Sequence, residues 1–225
     1  MSNLYIVATP IGNLKDISKR AQEILASVDI ILCEDTRVTQ KLLSYLSIKK
    51  ILISYHQHSK LNQVEKIIQY LEDGKNIALV SDAGTPGISD PGNMLVNEVA
   101  QKLKDVKIIA IPGPNAMVSA ASISGFAMDR FVFLGFPPVK NKRQKFFKEM
   151  LAYEIPVIFY ESCHRILKTL GEIEKINQEI QIVICRELTK QFETIHRGKI
   201  GEVINALKND KIKGEFTVVL KTLRN

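Results

Sequence analysis

Residues 81–92 read SDAGTPGISDPG and follow directly on the apolar run IALV at residues 77–80. These twelve residues hold three glycines, two prolines and two aspartates, and no lysine or arginine. A plain turn between a strand and a helix needs only about 2–6 residues, so the length speaks for a loop that encloses something. Glycine lets main-chain amides and carbonyls approach a ligand because no Cβ stands between them. The usual phosphate loops, GxGxxG and GxxxxGK[ST], do not occur in the chain. A loop without a cation suits a neutral or positive ligand, and Asp82 and Asp90 carry the wrong sign for a pyrophosphate. The competing reading is an ordinary turn in which Ser89 or Asp90 caps the next helix.

Working outward from this loop, short apolar runs alternate with amphipathic stretches. Residues 4–8, 28–34, 51–54, 76–81 and 106–113 read as strands, with helices over 17–27, 36–46, 61–73 and 92–103. Strands separated by helices predict a parallel sheet covered on both faces. Such sheets bind ligands beyond the carboxyl ends of their strands, where TPIGNL, EDTR, YHQHS, SDAGTPGISDPG and IPGPNA all fall. After a helix over 115–124, a second set follows: strands at 131–135, 156–161, 181–187, 193–197 and 215–221, with helices over 142–152, 165–176 and 200–209. The third and fourth of these strands are close enough for a hairpin, which predicts a mixed sheet. The expected fold class is therefore α/β in two domains, residues 1–116 with a parallel sheet and 117–225 with a mixed one.

At 225 residues and 45% hydrophobic content the chain supports a substantial core. Its apolar runs are far shorter than the roughly 20 residues of a membrane helix, and its start resembles no signal peptide, so a soluble, cytoplasmic protein is expected. Cys33, Cys163 and Cys185 are widely spaced and form no CxxC pair, which argues against a disulfide framework or a zinc site. The net charge of +7 is unevenly spread: residues 1–115 hold 13 Lys and Arg against 12 Asp and Glu, the remainder 18 against 12. A basic half beside a neutral one fits a polyanionic partner, nucleic acid first, or a merely well-solvated surface.

Three small loops, TPIGN, SDAGTPGISDPG and IPGPNA, would frame one small-molecule pocket at a common sheet edge. In EDTR, Glu34, Asp35 and Arg37 could hold and deprotonate a polar substrate, or Asp35 or Thr36 could simply cap a helix. His56 and His58 have no Cys or carboxylate neighbours that suggest a metal and read as polar lining. In FYESCHR, Glu161, His164 and Arg165 sit at a strand-to-helix junction, and nothing orients Cys163 as a nucleophile. RELTKQFE offers Arg186 and Lys190. KNKRQKFFK interleaves Phe146 and Phe147 with Lys140, Lys142, Arg143, Lys145 and Lys148, a pattern that predicts the rings inward and all the cations in water.

The ordered series TPIGNLKDIS, CEDTR, YHQHS, SDAGTPGISDPG, IPGPNA, FLGFPP, YESCHR, RELTK and KGEF resembles the tetrapyrrole methylase superfamily, in its branch of small-subunit ribosomal RNA 2′-O-ribose methyltransferases. The likeness covers nearly the whole chain. It implies S-adenosyl-L-methionine as methyl donor in a cleft between two α/β domains, a cytidine ribose of the decoding region of small-subunit (16S) ribosomal RNA as acceptor, and a homodimer. By motif, Thr9, Pro10, Gly84, Thr85, Ile88, Asn115 and Ala116 would touch the donor, with Tyr160 and Thr217 on the other wall. Asp35 is the candidate base and Arg37 the positioner; Glu34, His56, His58, Arg165 and Lys190 are candidate substrate contacts. No metal is implied.

Two departures stand out. Gly84, Thr85 and Pro86 replace the Gly-Asp-Pro of tetrapyrrole-modifying relatives, and Cys163 stands where the RNA branch commonly has proline. Many members also continue past the GEF strand into a further basic segment, whereas this sequence ends at Asn225; RNA docking is then expected to rely on the basic second domain and the dimer, or to be weaker. The other readings are a methylase of a tetrapyrrole or other small molecule, and a non-catalytic RNA-binding assembly factor.

Overall fold

The computed structural model describes residues 2–56 and 61–221. The chain forms two compact units, residues 1–115 and 116–225. In the first, five strands alternate with helices: β1 (Asn3–Val7), α1 (Lys19–Ser27), β2 (Ile30–Cys33), α2 (Thr36–Tyr45), β3 (Ile51–Ser54), α3 (Leu61–Glu72), β4 (Ile77–Leu79), α4 (Asn93–Lys102) and β5 (Lys107–Ile111). A short 3-10 turn, Leu14–Asp16, precedes α1. All pairings in this sheet are parallel, in the order β3-β2-β4-β1-β5.

Burial on two faces explains why the central strands read as unbroken apolar runs. Ile30 and Leu32 pack with Val64, Ile67 and Leu71 of α3 and Leu95 and Val99 of α4 on one face. Ile31 and Cys33 turn to the other, against Ala21 and Leu25 of α1 and Leu42 and Leu43 of α2. Each fully buried leucine or isoleucine contributes about 1.5–3 kcal/mol relative to exposure. Helix starts follow local chemistry: the Ser18 side chain accepts from the Ala21 amide at α1, and Asp35 accepts from the Arg37 amide at α2. By contrast, α4 is entered through Gly92 at φ 144°, without a side-chain cap, so neither Ser89 nor Asp90 occupies the cap position.

The second unit contains α5 (Ala116–Ile123), β6 (Val132–Phe133), α6 (Arg143–Leu151), β7 (Val157–Ser162), α7 (Ile166–Glu174), β8 (Gln181–Arg186), β9 (Thr194–Lys199), α8 (Ile200–Lys208) and β10 (Glu215–Lys221). Its sheet has the order β6-β7-β10-β8-β9. Among the described residues of this sheet only β6 and β7 run parallel, and β8 and β9 form the expected antiparallel pair. Phe159, Ile182, Ile184, Phe216 and Val218 point to one face, where α6, α7 and α8 cover them with Phe147, Leu170 and Val203 among others. The short helix α5 packs on β7 and β10.

One expectation for this unit is corrected. Phe147 is buried as anticipated, but so is Arg143, only 6% exposed. Its guanidinium lies 2.6 Å from Glu172, donates to the Thr169 hydroxyl at 2.6 Å and the Pro138 carbonyl at 2.8 Å, and stacks over the Phe147 ring at 4.7 Å. A planar head with five donors tolerates burial where its hydrogen bonds are met. Helical periodicity alone does not reveal the carboxylate waiting on α7.

Candidate functional site

The crossover leaving β2 runs outward to the edge strand β3, while that leaving β4 runs the opposite way to β5. Their helices, α2 and α4, lie on opposite faces. Diverging connections from neighbouring strands open a crevice beyond their carboxyl ends. Here the crevice lies between EDTR, after β2, and SDAGTPGISDPG, after β4. The Asp35 amide donates to an Asp82 carboxylate oxygen at 2.9 Å and ties the two loops together.

On its other side the long loop is joined to the loop after β1. Thr9 and Gly84 form an isolated antiparallel bridge, with reciprocal amide-to-carbonyl bonds of 2.9 and 3.0 Å. Thr9 is 2% exposed and its hydroxyl donates to the Ser81 carbonyl at 3.1 Å, so its polar groups weld the loops together. The loop after β5 joins through Thr85, whose hydroxyl donates to the Pro114 carbonyl at 3.2 Å. Gly84 adopts φ 82°, a region that favours glycine, and an added Cβ would touch the Ile11 side chain at 3.4 Å. Thr9, Pro10, Gly84 and Thr85 are thus brought together, with the loop leading to Asn115 beside them. Ile88 lies further along the same loop, 39% exposed.

The three charged residues of EDTR have different electrostatic fates. Asp35 caps α2 and is also clamped by its own neighbour: Arg37 Nη2 lies 2.6 Å from one carboxylate oxygen and Nε 3.0 Å from the other. The hydrogen bonds from Arg37 hold the Asp35 carboxyl down at about 2. A carboxyl held so low takes a proton poorly at neutral pH, which speaks against Asp35 as the base. Glu34 behaves oppositely: partial burial first, and then the Asp82 charge, push its carboxyl up from the ordinary value. His56 opposes that rise, and its ring Nε2 is 2.7 Å from the Ser54 hydroxyl. His58 lies outside the described residues. Asp82 was absent from the expected site residues because its importance rests on β2 and β4 being neighbours, which spacing along the chain does not show.

In the second unit Tyr160 and Thr217 stand directly opposite each other on β7 and β10. Ala116 opens α5, and the Tyr160 hydroxyl accepts from the amide of the next residue, Met117, at 3.2 Å. The expected substrate contacts Arg165 and Lys190 have internal partners. Arg165 bonds Glu161 at 2.7 Å, the Pro137 carbonyl at 3.1 Å and Ser162 at 3.3 Å. Lys190 sits 2.8 Å from both Glu187 and Glu215. Both therefore brace the fold as well as standing partly exposed. Burial raises the thiols of Cys33 and, to about 11, Cys185, which keeps them protonated at neutral pH.

Comparison with known proteins places this geometry. Residues 3–204 match the family model described as Tetrapyrrole (Corrin/Porphyrin) Methylases. A ribosomal RNA small subunit methyltransferase I from Synechocystis sp. is 45% identical over 98% of this chain and 79% of its own length. One from Thermotoga maritima is 43% identical over 98% of both. Among solved structures, diphthine synthase superposes with a TM-score of 0.71 at 15% identity, covering 99% of this chain and 92% of its own. A cobalt precorrin-4 methyltransferase gives 0.70 at 17%, covering 97% and 94%. The structural neighbours share the fold, and the close relatives share the sequence across it: the chain belongs to the tetrapyrrole methylases, among the ribosomal RNA small subunit methyltransferase I proteins.

Proposed function

We propose that the chain is a methyltransferase that uses S-adenosyl-L-methionine to methylate the 2′-hydroxyl of a cytidine ribose in the decoding region of small-subunit ribosomal RNA, acting as a cytoplasmic homodimer. The observation that carries the reading is the set of three loops stitched together by Thr9–Gly84 and Thr85–Pro114, in a family whose close relatives bear that ribosomal RNA methyltransferase name. The donor set fits the proposed cofactor: the loops offer main-chain groups, small side chains and the Asp82 carboxylate, and no Lys or Arg. S-adenosyl-L-methionine, when bound, supplies an electrophilic methyl on a cationic sulfur. In the first unit, Pro10, Gly84, Thr85, Ile88 and Asn115 are the proposed donor contacts, with Thr9 as the weld that shapes them.

Glu34 is the proposed acceptor of the ribose hydroxyl proton. Its raised carboxyl lies nearer neutral pH than that of Asp35, and a positioned base contributes about 10²–10⁴-fold. Arg37, 87% exposed and aligned by Asp35, is the proposed partner of the developing alkoxide charge. Mapping ribose methylation by mass spectrometry, on small ribosomal subunits incubated with protein and donor, tests the reading. A methylated cytidine in the decoding region is the expected product. Methyl transfer to a porphyrinogen but not to RNA, or no donor binding at all, overturns it.

A further inference from the structure

A second concave feature lies wholly within the second unit, away from the loops just described in sequence. It is a cavity of about 460 Å³ between the start of α6 and the flank of α7. Its charged lining consists of Lys140, Lys142, Arg143, Lys145, Lys168 and one acid, Glu172. Arg143 and Glu172 neutralise each other at 2.6 Å and form a fixed wall. Lys145 is shared with Glu149 at 3.6 Å, and that pair is largely exposed. Lys140, Lys142 and Lys168 are exposed and have no ion pair among the described residues.

Several ammonium groups around one concavity repel one another, and low-dielectric walls concentrate their field. On a convex face the same lysines would splay into solvent with little cost. Here Lys142 is also held in the left-handed region, φ 63°, immediately before a helix whose first turn contains no acid. Cations at that end of a helix oppose its dipole, so the helix start offers the Lys142 charge no stabilisation. A polyanion relieves the repulsion, and this half of the chain carries an excess of cations, 18 against 12 acids.

We propose that this cavity docks the phosphodiester backbone of the RNA substrate, with Lys140, Lys142 and Lys168 as the phosphate contacts and the Arg143–Glu172 pair as their rigid support. The proposal rests on the ribosomal RNA reading given above. The full chain carrying Lys140→Gln, Lys142→Gln and Lys168→Gln together is titrated with a labelled small-subunit RNA fragment across a salt series. Each lost contact removes about 0.7–0.9 from the slope of log affinity against log salt, so the slope should flatten by about 2–3. S-adenosyl-L-methionine binding, followed by calorimetry, should match that of the wild type, and the corresponding triple Lys→Arg variant should keep the slope.

A wild-type slope in the Gln variant, while wild-type protein binds RNA normally, overturns the docking site and leaves the proposed function standing. Absence of RNA binding by the wild type overturns both. Vesicles of anionic phospholipid form the second arm: loss of vesicle binding in the Gln variant with an unchanged RNA slope assigns the cavity to a lipid surface and rejects the RNA assignment.

Discussion

At Asp35 and Glu34, adjacent carboxylates, the sequence EDTR shows two acids at the end of a strand, and nothing in the string tells them apart. Their surroundings do: Arg37 folds back on Asp35, while partial burial and then the charge of Asp82, in the loop after β4, act on Glu34. In Arg37→Ala the Asp35 carboxyl should move up from about 2 toward its ordinary value of 3.8, as read by carboxyl carbon NMR titration. Glu34 must be ionised to accept a proton, so activity rises with pH through its raised value. The acidic limb of kcat/KM should therefore lie above 4.5. Asp82→Asn removes the like charge yet keeps an oxygen for the Asp35 amide, and should shift that limb to lower pH without abolishing turnover; a limb that stays in place counts against Glu34 as the base. Glu34→Gln should lower kcat by about 10²–10⁴ at unchanged donor affinity.

Elements were more legible than their buried polar ties. Short apolar runs and period-3.6 patterning place the strands and helices to within a few residues, because burial of one face or two is written in the apolar spacing. For α6, the same patterning puts Phe147 in the core and is silent about Arg143, since an arginine reads as surface unless its partner is known. That partner comes from α7, 29 residues later. Truncation of one member of a buried pair leaves the other uncompensated, so Arg143→Ala should cost about 3–5 kcal/mol in urea unfolding. Lys145→Ala, which breaks an exposed pair on the same helix, should change stability by no more than about 0.5 kcal/mol. Equal losses in the two variants would show that Arg143 is not the anchor described.

For the whole molecule, the fold class follows from the alternation of elements, but the order of strands does not. The long loop after β4 is recognisable in the sequence as a ligand loop; that β4 inserts between β2 and β1, and so sets Asp82 beside Asp35, is a fact of topology alone. The two units have separate cores. Phe159→Ala, which empties space in the second, should cost about 3–5 kcal/mol there and leave hydrogen-exchange protection of the β2 and β4 amides in the first unchanged, as measured by mass spectrometry.

The strand order also bears on how the protein is made. Strands β1 and β2, both made before β4, are not hydrogen-bonded to each other; among the described residues β1 finds its neighbours in β4 and β5. A nascent chain halted before residue 77 thus lacks the sheet neighbours of β1. The amino-terminal sheet can zip shut only near the completion of its own translation, which makes it dependent on late, distant contacts and exposes its apolar strands to chaperones until then.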